Sequence, residues 1–237
     1  PIPVRPVVHY MMGGIDTNID CSTILPGLFA AGECACVSIN GANRLGSNSL
    51  TEILVYGARA GQAAAVFAAE HSEINLEALE KQGADEYKRI TRDFLQKDGG
   101  SERIATLRNE MHQVMEQSVD IFRSESGLKE ACNKIEELKD RFSSILIEDK
   151  SLNFNTELTS ALELENMIDV AESIIFSALS RRESRGSHQR TDFVNRDDEN
   201  FLRHSLAYRT EAESRIEYQD VVITKWPPAE RIYGKEE

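Results

Sequence analysis

Arg44 sits in Gly41-Ala42-Asn43-Arg44-Leu45-Gly46-Ser47-Asn48-Ser49-Leu50-Thr51-Glu52, a glycine-bracketed loop that runs straight into a helix start. Ser49 and Glu52 have the spacing of a capping box, and an apolar run begins at once with Leu50, Ile53, Leu54 and Val55. The pattern predicts an arginine standing beside the unpaired N–H groups of a helix N-terminus. Both are donors for an anion, and the helix dipole adds to the attraction. A bidentate grip on a carboxylate is within reach of Arg and not of Lys. An ordinary capped helix accounts for the same residues without any ligand.

The residues upstream tip that balance. Leu28 to Ala31, after the turn Thr23-Ile24-Leu25-Pro26-Gly27, reads as a short buried strand that ends on Gly32-Glu33. A carboxylate directly after a buried strand stands at the carboxyl end of an α/β sheet, where such sheets bind ligands. Pro6-Val7-Val8-His9-Tyr10-Met11-Met12 reads as another strand, closed by Gly13-Gly14. A lone His at a strand end is more often structural. His9, Glu33, Arg44 and a helix N-terminus within so short a stretch point instead to a site for an anionic ligand.

Three ordered motifs carry a family resemblance: His9-Tyr10-Met11-Met12-Gly13-Gly14, Gly27-Leu28-Phe29-Ala30-Ala31-Gly32-Glu33-Cys34, and Gly41 to Leu50. Together they resemble the flavoprotein subunit of succinate dehydrogenase and fumarate reductase. Ser184-Arg185-Gly186-Ser187-His188-Gln189-Arg190 and Arg196-Asp197-Asp198-Glu199-Asn200 resemble that family's C-terminal part, so the likeness covers nearly the whole chain. Gly46 to Glu52 and the ending Pro227 to Gly234 look closer to fumarate reductases than to succinate dehydrogenases.

The resemblance implies FAD as cofactor and interconversion of succinate and fumarate by hydride transfer between substrate carbon and flavin N5. It implies that His9 and Arg44 bind the dicarboxylate. Tyr10 would lie along the flavin and Glu33 would bond its ribityl chain. The backbone of Ser49 and Leu50 would face the flavin edge that becomes anionic on reduction. It further implies an iron–sulfur subunit and membrane anchor subunits as partners, and a peripheral position on the cytoplasmic face of the inner membrane. L-aspartate oxidase shares much of this core, but usually lacks a tail like Asp197 to Gly234. A non-catalytic helical interaction module is the reading from another class.

The chain opens on Pro1 and contains no Gly-x-Gly-x-x-Gly segment after an apolar strand, so the usual dinucleotide fingerprint is missing. It is therefore expected to be a C-terminal portion without the family's proton donor, and inactive alone. Net charge is −13 with no offsetting basic stripe, which excludes nucleic-acid binding as an expectation. No apolar run reaches the roughly 18 residues that a spanning helix needs. Cys21, Cys34, Cys36 and Cys132 are too few for a disulfide framework, and Cys34-Ala35-Cys36 has no second pair to complete a zinc site. They read as buried reduced thiols.

The elements that must position the site follow from periodicity. A helix rich in Gly and Ala is expected from Asn48 to Glu70, with small residues suited to close packing. Helical spacing recurs at Ile104, Leu107, Met111, Val114 and Met115, continuing toward Ile121 and Phe122, then at Leu128, Ala131, Ile135, Leu138, Phe142 and Ile145. It recurs again from Leu158 to Ala178, with Ser101, Ser126 and Thr156 as cap candidates. Met111, Met115 and Met167 read as core fillers. Arg203 to Tyr208 could continue a helix, and Asp220 to Trp226 reads as a strand. Arg181, Arg182, Arg185, His188 and Arg190 form a basic cluster that is expected to pair with Asp197, Asp198 and Glu199.

The expected fold class is α+β and multidomain. The end of an FAD-binding α/β domain (1–70) leads into an antiparallel three-helix bundle (71–190). A short C-terminal tail containing a strand (191–237) completes it.

Overall fold

A computed structural model describes residues 1–4, 7–71, 75–210 and 214–229. Near the start, β1 (Ile15–Asp16) pairs in parallel with β2 (Ala35–Cys36). Gly14 makes this approach possible. Its φ is +136°, and a Cβ there would fall 2.5 Å from the Cys34 carbonyl oxygen. The strand expected over Pro6–Met12 does not form in its described part, residues 7–12, and Pro6 lies outside the described residues. Leu28–Ala31 makes a single bridge, Phe29 to Ser22, rather than a strand. An apolar run becomes a strand only when a neighbour offers a matching ladder, and no described segment does so here.

The helix α1 (Asn48–Glu70) has the bounds expected of it. Its N-cap is Ser47 in the left-handed region at φ 67°, with no side-chain cap, so the capping box of Ser49 and Glu52 is not made. The helix starts early enough to carry Ser49 inside its first turn, and Glu52 is drawn to other partners. Close packing through small residues is also not observed. A Cβ at Gly57 or Gly61 meets nothing within 4 Å, and Glu52 is the one buried residue of α1. The helix is tied to the preceding segment at its middle and near its far end. Arg59 donates to Ile19 O at 2.9 Å and pairs with Asp20 at 2.8 Å. Phe67 meets Phe29 edge-on at 6.1 Å.

The helical body begins with α2 (Leu76–Ile90), which runs into a π-helical turn at Thr91–Leu95. Sequence periodicity missed α2 because it buries none of its residues, so no apolar stripe marks it. Then follow α3 (Ile104–Val114) with a π-helical turn at Met115–Val119, β3 (Phe122–Arg123), α4 (Glu125–Phe142) and α5 (Thr156–Ser180). Their caps sit elsewhere than expected: Ser124 and Asn155 cap α4 and α5 through side chains, and Arg103 precedes α3 without a side-chain bond.

The three apolar series converge on one core. Leu107, Leu128, Leu138, Leu164 and Ile175 are fully buried there, with Met111 inside and Met115 and Met167 packed against it. Leu128→Ala is expected to destabilise the fold by about 3–5 kcal/mol, because a cavity forms where no solvent can enter. Denaturant unfolding followed by circular dichroism reads it, and a loss below about 1 kcal/mol would show a loose core. On the helix surfaces, Arg141 grips Glu102 and Glu110 in bidentate pairs and also meets Glu137. Arg141 and Lys134 together hold the Glu110 carboxyl down at about 2.

The tail contains β4 (Gln189–Arg190), parallel to β3, then a single helical turn α6 (Asp198–Phe201). A hairpin of β5 (Arg203–Tyr208) and β6 (Arg215–Asp220) closes it. Two expectations fail. Arg203–Tyr208 is a strand and not a helix continuation, and the second strand ends at Asp220 where the sequence reading began it. The pairing of Arg203 with Asp220 through Tyr208 with Arg215 fixes both in one register. The hairpin rests on α5, with the Tyr218 hydroxyl donating to Ser180 O at 3.1 Å. The ending from Glu230 onward lies outside the described residues.

Cys21 and Cys132 are buried free thiols, whereas Cys34 is exposed and Cys36 half-buried, so the buried reading fails for that pair. Cys34 directly precedes β2 and Cys36 ends it, at the surface. Among the described residues no helix is long and apolar enough to cross a membrane, and no group of His, Cys, Asp and Glu could hold a metal.

Candidate functional site

Arg44 is half-buried, and its Nε is a buried donor with no partner among the described residues. A donor stripped of water and left unmatched costs about 1–3 kcal/mol, so such groups are rare unless a ligand completes them. The rest of the side chain is held in place. Its guanidinium carbon lies 4.6 Å from the centroid of the Tyr10 ring, a cation–π contact, and Nη1 donates to Leu45 O at 3.3 Å. Its backbone N–H points at Met12 Sδ, 3.2 Å away.

Three further bonds join the segments that sequence reading brought to this corner. The Tyr10 hydroxyl donates to Glu52 Oε2 at 3.4 Å, and Asn40 Nδ2 donates to the same oxygen at 2.6 Å. The Met11 N–H donates to Glu33 Oε1 at 3.0 Å. Burial, followed by the carboxylates of Glu52 and Glu33, pushes the Tyr10 phenol up, with Arg44 opposing. Tyr10 therefore stays neutral and is available as a ring and a donor.

Of the sequence-predicted residues, Tyr10, Glu33 and Arg44 are thus linked through one short segment, Tyr10 to Met12. His9 is exposed next to Tyr10, and its ring makes no hydrogen bond to another described residue. Ser49 and Leu50 lie in the first turn of α1, where the Leu50 N–H donates to Ser47 O at 3.1 Å. Sequence reasoning missed Asn40 and the true task of Glu52. The signal was an acid three residues after Ser49, assigned to a cap it does not make. The corner opens beside a cavity of about 280 Å³ lined by Asn40, Asn48, Thr51, Glu52 and Tyr56.

Behind this corner stands the basic cluster. Its main counterions are Glu183 and Asp192 rather than the Asp197–Glu199 set. Glu183 is fully buried and accepts from Arg181 at 2.6 Å, from Arg185 at 2.8 and 2.9 Å, and from the Asp197 N–H at 2.9 Å. Asp198 takes the outer face of Arg185 at 2.7 Å. His188 receives a bond from Arg123 Nη1 at Nδ1, 2.8 Å, and reaches Arg181 O at 3.1 Å through Nε2.

Burial, with the positive charges of Arg123, Arg181 and Arg190, pulls His188 down to about 4. Between pH 6.5 and 4 the unfolded chain binds a proton at this residue that the folded chain refuses. Stability is therefore expected to fall by about 2–3 kcal/mol as pH drops through that window, and to level off below it. His188→Gln should remove that part of the pH dependence of the unfolding midpoint. An unchanged profile would contradict the assignment.

Two family profiles match the chain. The one described as fumarate reductase flavoprotein C-term covers residues 108–233, and the FAD binding domain covers residues 1–50. The chain belongs to the fumarate reductase and succinate dehydrogenase flavoprotein family. The fumarate reductase flavoprotein subunit of Mycobacterium tuberculosis is 53% identical over 238 residues, 99% of this chain and 41% of that protein. The succinate dehydrogenase flavoprotein subunit of Rickettsia bellii is 38% identical, over 98% of this chain and 42% of its own length. A solved FrdA chain of E. coli quinol fumarate reductase superposes with TM-score 0.93 at 46% identity, covering 100% of this chain and 41% of that one. The chain thus spans about two-fifths of the length of the relatives it matches. The fold and the FAD-binding assignment of the first 50 residues are those of this family.

Proposed function

We propose that this chain is part of an FAD-dependent oxidoreductase that interconverts fumarate and succinate, in which Arg44 and His9 bind the dicarboxylate. The observation that carries the reading is the buried, unmatched Nε of Arg44, held against the Tyr10 ring one loop away from the N-terminus of α1. A carboxylate is the anion whose flat pair of oxygens suits a guanidinium. Charge-assisted bonds of this kind contribute roughly 1.5–3 kcal/mol each.

The donor set also suits the cofactor. Glu33 offers an exposed carboxylate for hydroxyl groups, Tyr10 a neutral ring, and Ser49 and Leu50 the positive end of a helix for an edge that gains charge. When bound, FAD supplies hydride exchange with the substrate carbon. This chain's residues bind and orient the substrate and exclude water on one side, while the proton donor belongs to another part of the whole protein. Apolar residues left exposed on α1, among them Leu50, Leu54 and Val66, are faces for that part to cover.

The same reading gives an FAD-binding segment at 1–70, an antiparallel helical bundle at 71–190 and a tail at 191–237. Electrons pass to an iron–sulfur subunit and on to membrane anchor subunits, with this chain peripheral on the cytoplasmic face. Higher identity to the relative named fumarate reductase than to the one named succinate dehydrogenase supports fumarate reduction as the direction.

The test uses the whole protein purified with its flavin. Fumarate should oxidise a reduced low-potential dye in its presence. Oxygen-dependent turnover of L-aspartate, with no fumarate reduction, would transfer the site to the sister enzyme. No bound flavin and neither activity would leave a non-catalytic module.

A further inference from the structure

We infer that the Gly186-Ser187 turn of the tail is a positioning element that sets the Asn43-Arg44 loop from behind. The inference rests on the anion-binding reading of Arg44. The contact joins residues 145 apart in sequence: Ser187 Oγ donates to the Ala42 carbonyl at 2.8 Å, and the Ser187 N–H donates to the same oxygen at 3.0 Å. Two donors on one carbonyl fix the peptide plane that leads into Asn43 and Arg44.

Gly186 brings the turn that close. It stands at φ +58°, and a Cβ there would fall 2.5 Å from the Ala42 oxygen and 2.6 Å from its carbonyl carbon. Only glycine fits, and the atoms that would have to move are backbone. No flexible side chain can absorb the displacement.

The turn itself is rigid, so it can act as a reference point. Arg185 and His188 exchange backbone bonds at 2.8 and 3.0 Å, closing it. Ser184, buried, ties it to Arg190 O and Phe193 O, and Arg185 locks it onto the fully buried Glu183. A second tie runs from the tail to the front segment, Ser38 Oγ to His204 Nε2 at 2.9 Å. From the front the loop carrying Arg44 is met by Met12 Sδ and the Tyr10 ring, and its bond to Leu45 O lies within the loop itself.

The chain therefore places a buried ion cluster where it can hold the anion-binding arginine without touching the ligand. A displacement of about 1 Å at a binding group can cost on the order of a hundredfold in rate. The loop geometry set by this turn is accordingly a determinant of substrate affinity.

The test takes the whole flavoprotein with its cofactor, titrated with fumarate by flavin absorbance and assayed by dye oxidation. Gly186→Ala is expected to keep its flavin content and to raise both Kd and KM for fumarate roughly 10- to 100-fold, the loss of one charge-assisted bond. Ser187→Ala, which removes the donating hydroxyl and adds nothing, should raise them about 3- to 10-fold with the unfolding midpoint unchanged. It carries the test if Gly186→Ala does not fold. A purely structural role would lower the midpoint and flavin content and leave Kd alone. Folded variants whose Kd and KM stay within about twofold of the parent overturn the positioning role. A parent protein that shows no response to fumarate overturns the functional reading, and this inference with it.

Discussion

Arg44→Ala, in the whole flavoprotein, should lower kcat/KM for fumarate by about 10²–10³-fold, the usual loss when one preorganised donor to developing charge is removed. Flavin content should fall less than activity: of the residues proposed for the cofactor Arg44 touches the Tyr10 ring, while Glu33 is held by the Met11 N–H and Leu50 by Ser47 O. Arg44→Lys should recover only a small part. An ammonium can restore charge but not the planar pair of donors, and the ring of Tyr10 packs a flat guanidinium better. Loss confined to KM with kcat intact would mean that Arg44 binds substrate and transition state equally. Activity within tenfold of the parent would remove Arg44 from the site.

The second large effect is on stability. Among the described residues Arg190 is the largest fully buried side chain, and its guanidinium serves both a carboxylate and the carbonyls at a helix end. It pairs with Asp192 through two bonds of 2.7 and 2.9 Å, and it donates to Ala178 O at 3.1 Å and Arg181 O at 3.2 Å. These are carbonyls at the end of α5 that the helix cannot satisfy itself. Arg190 also holds the Asp192 carboxyl far below the usual carboxylate range.

Arg190→Leu is expected to destabilise the protein by about 2–3 kcal/mol, since it leaves carbonyls at the end of α5 without a donor, while the exposed Asp192 keeps the Glu125 N–H at 2.7 Å and meets water. The exposed pair of Arg59 and Asp20, with side chains 43% and 61% accessible, gives the contrast. Arg59→Ala should cost less than about 1 kcal/mol by breaking the ion pair. Equal losses for the two arginines would show that burial of the tail cluster is not what stabilises it.

These two residues also show what a sequence can and cannot disclose. Arg44 was legible because its surroundings are local: the bracketing glycines, the helix start and the apolar run all lie within a dozen residues. The bounds of α1 and the presence of three core helices were legible for the same reason, since apolar stripes repeat along the chain, but not where the three end: the apolar series ran on to Phe122, which lies in β3, and to Ile145, past the end of α4.

Strands were not. An apolar run such as Leu28–Ala31 is only half of a pairing, and its neighbour decides whether a ladder forms. Arg203–Tyr208 has no alternation strong enough to show that it pairs with Arg215–Asp220. The network behind the site was hidden by distance. The arginines of the tail were visible as a cluster, but nothing in the local pattern singles out Glu183 as their buried counterion, or Ala42 as the target of Ser187. Glu52 illustrates a competition between two readings of one residue: a cap by spacing, an acceptor for Tyr10 and Asn40 by packing.

The most direct measurement is a crystal structure of the whole protein with FAD and a bound dicarboxylate. A ligand carboxylate oxygen is expected at about 2.7–2.9 Å from Arg44 Nε, matching the donor that has no partner among the described residues. A dicarboxylate seated elsewhere, with Arg44 Nε still unpartnered or turned to a protein carbonyl, would contradict it.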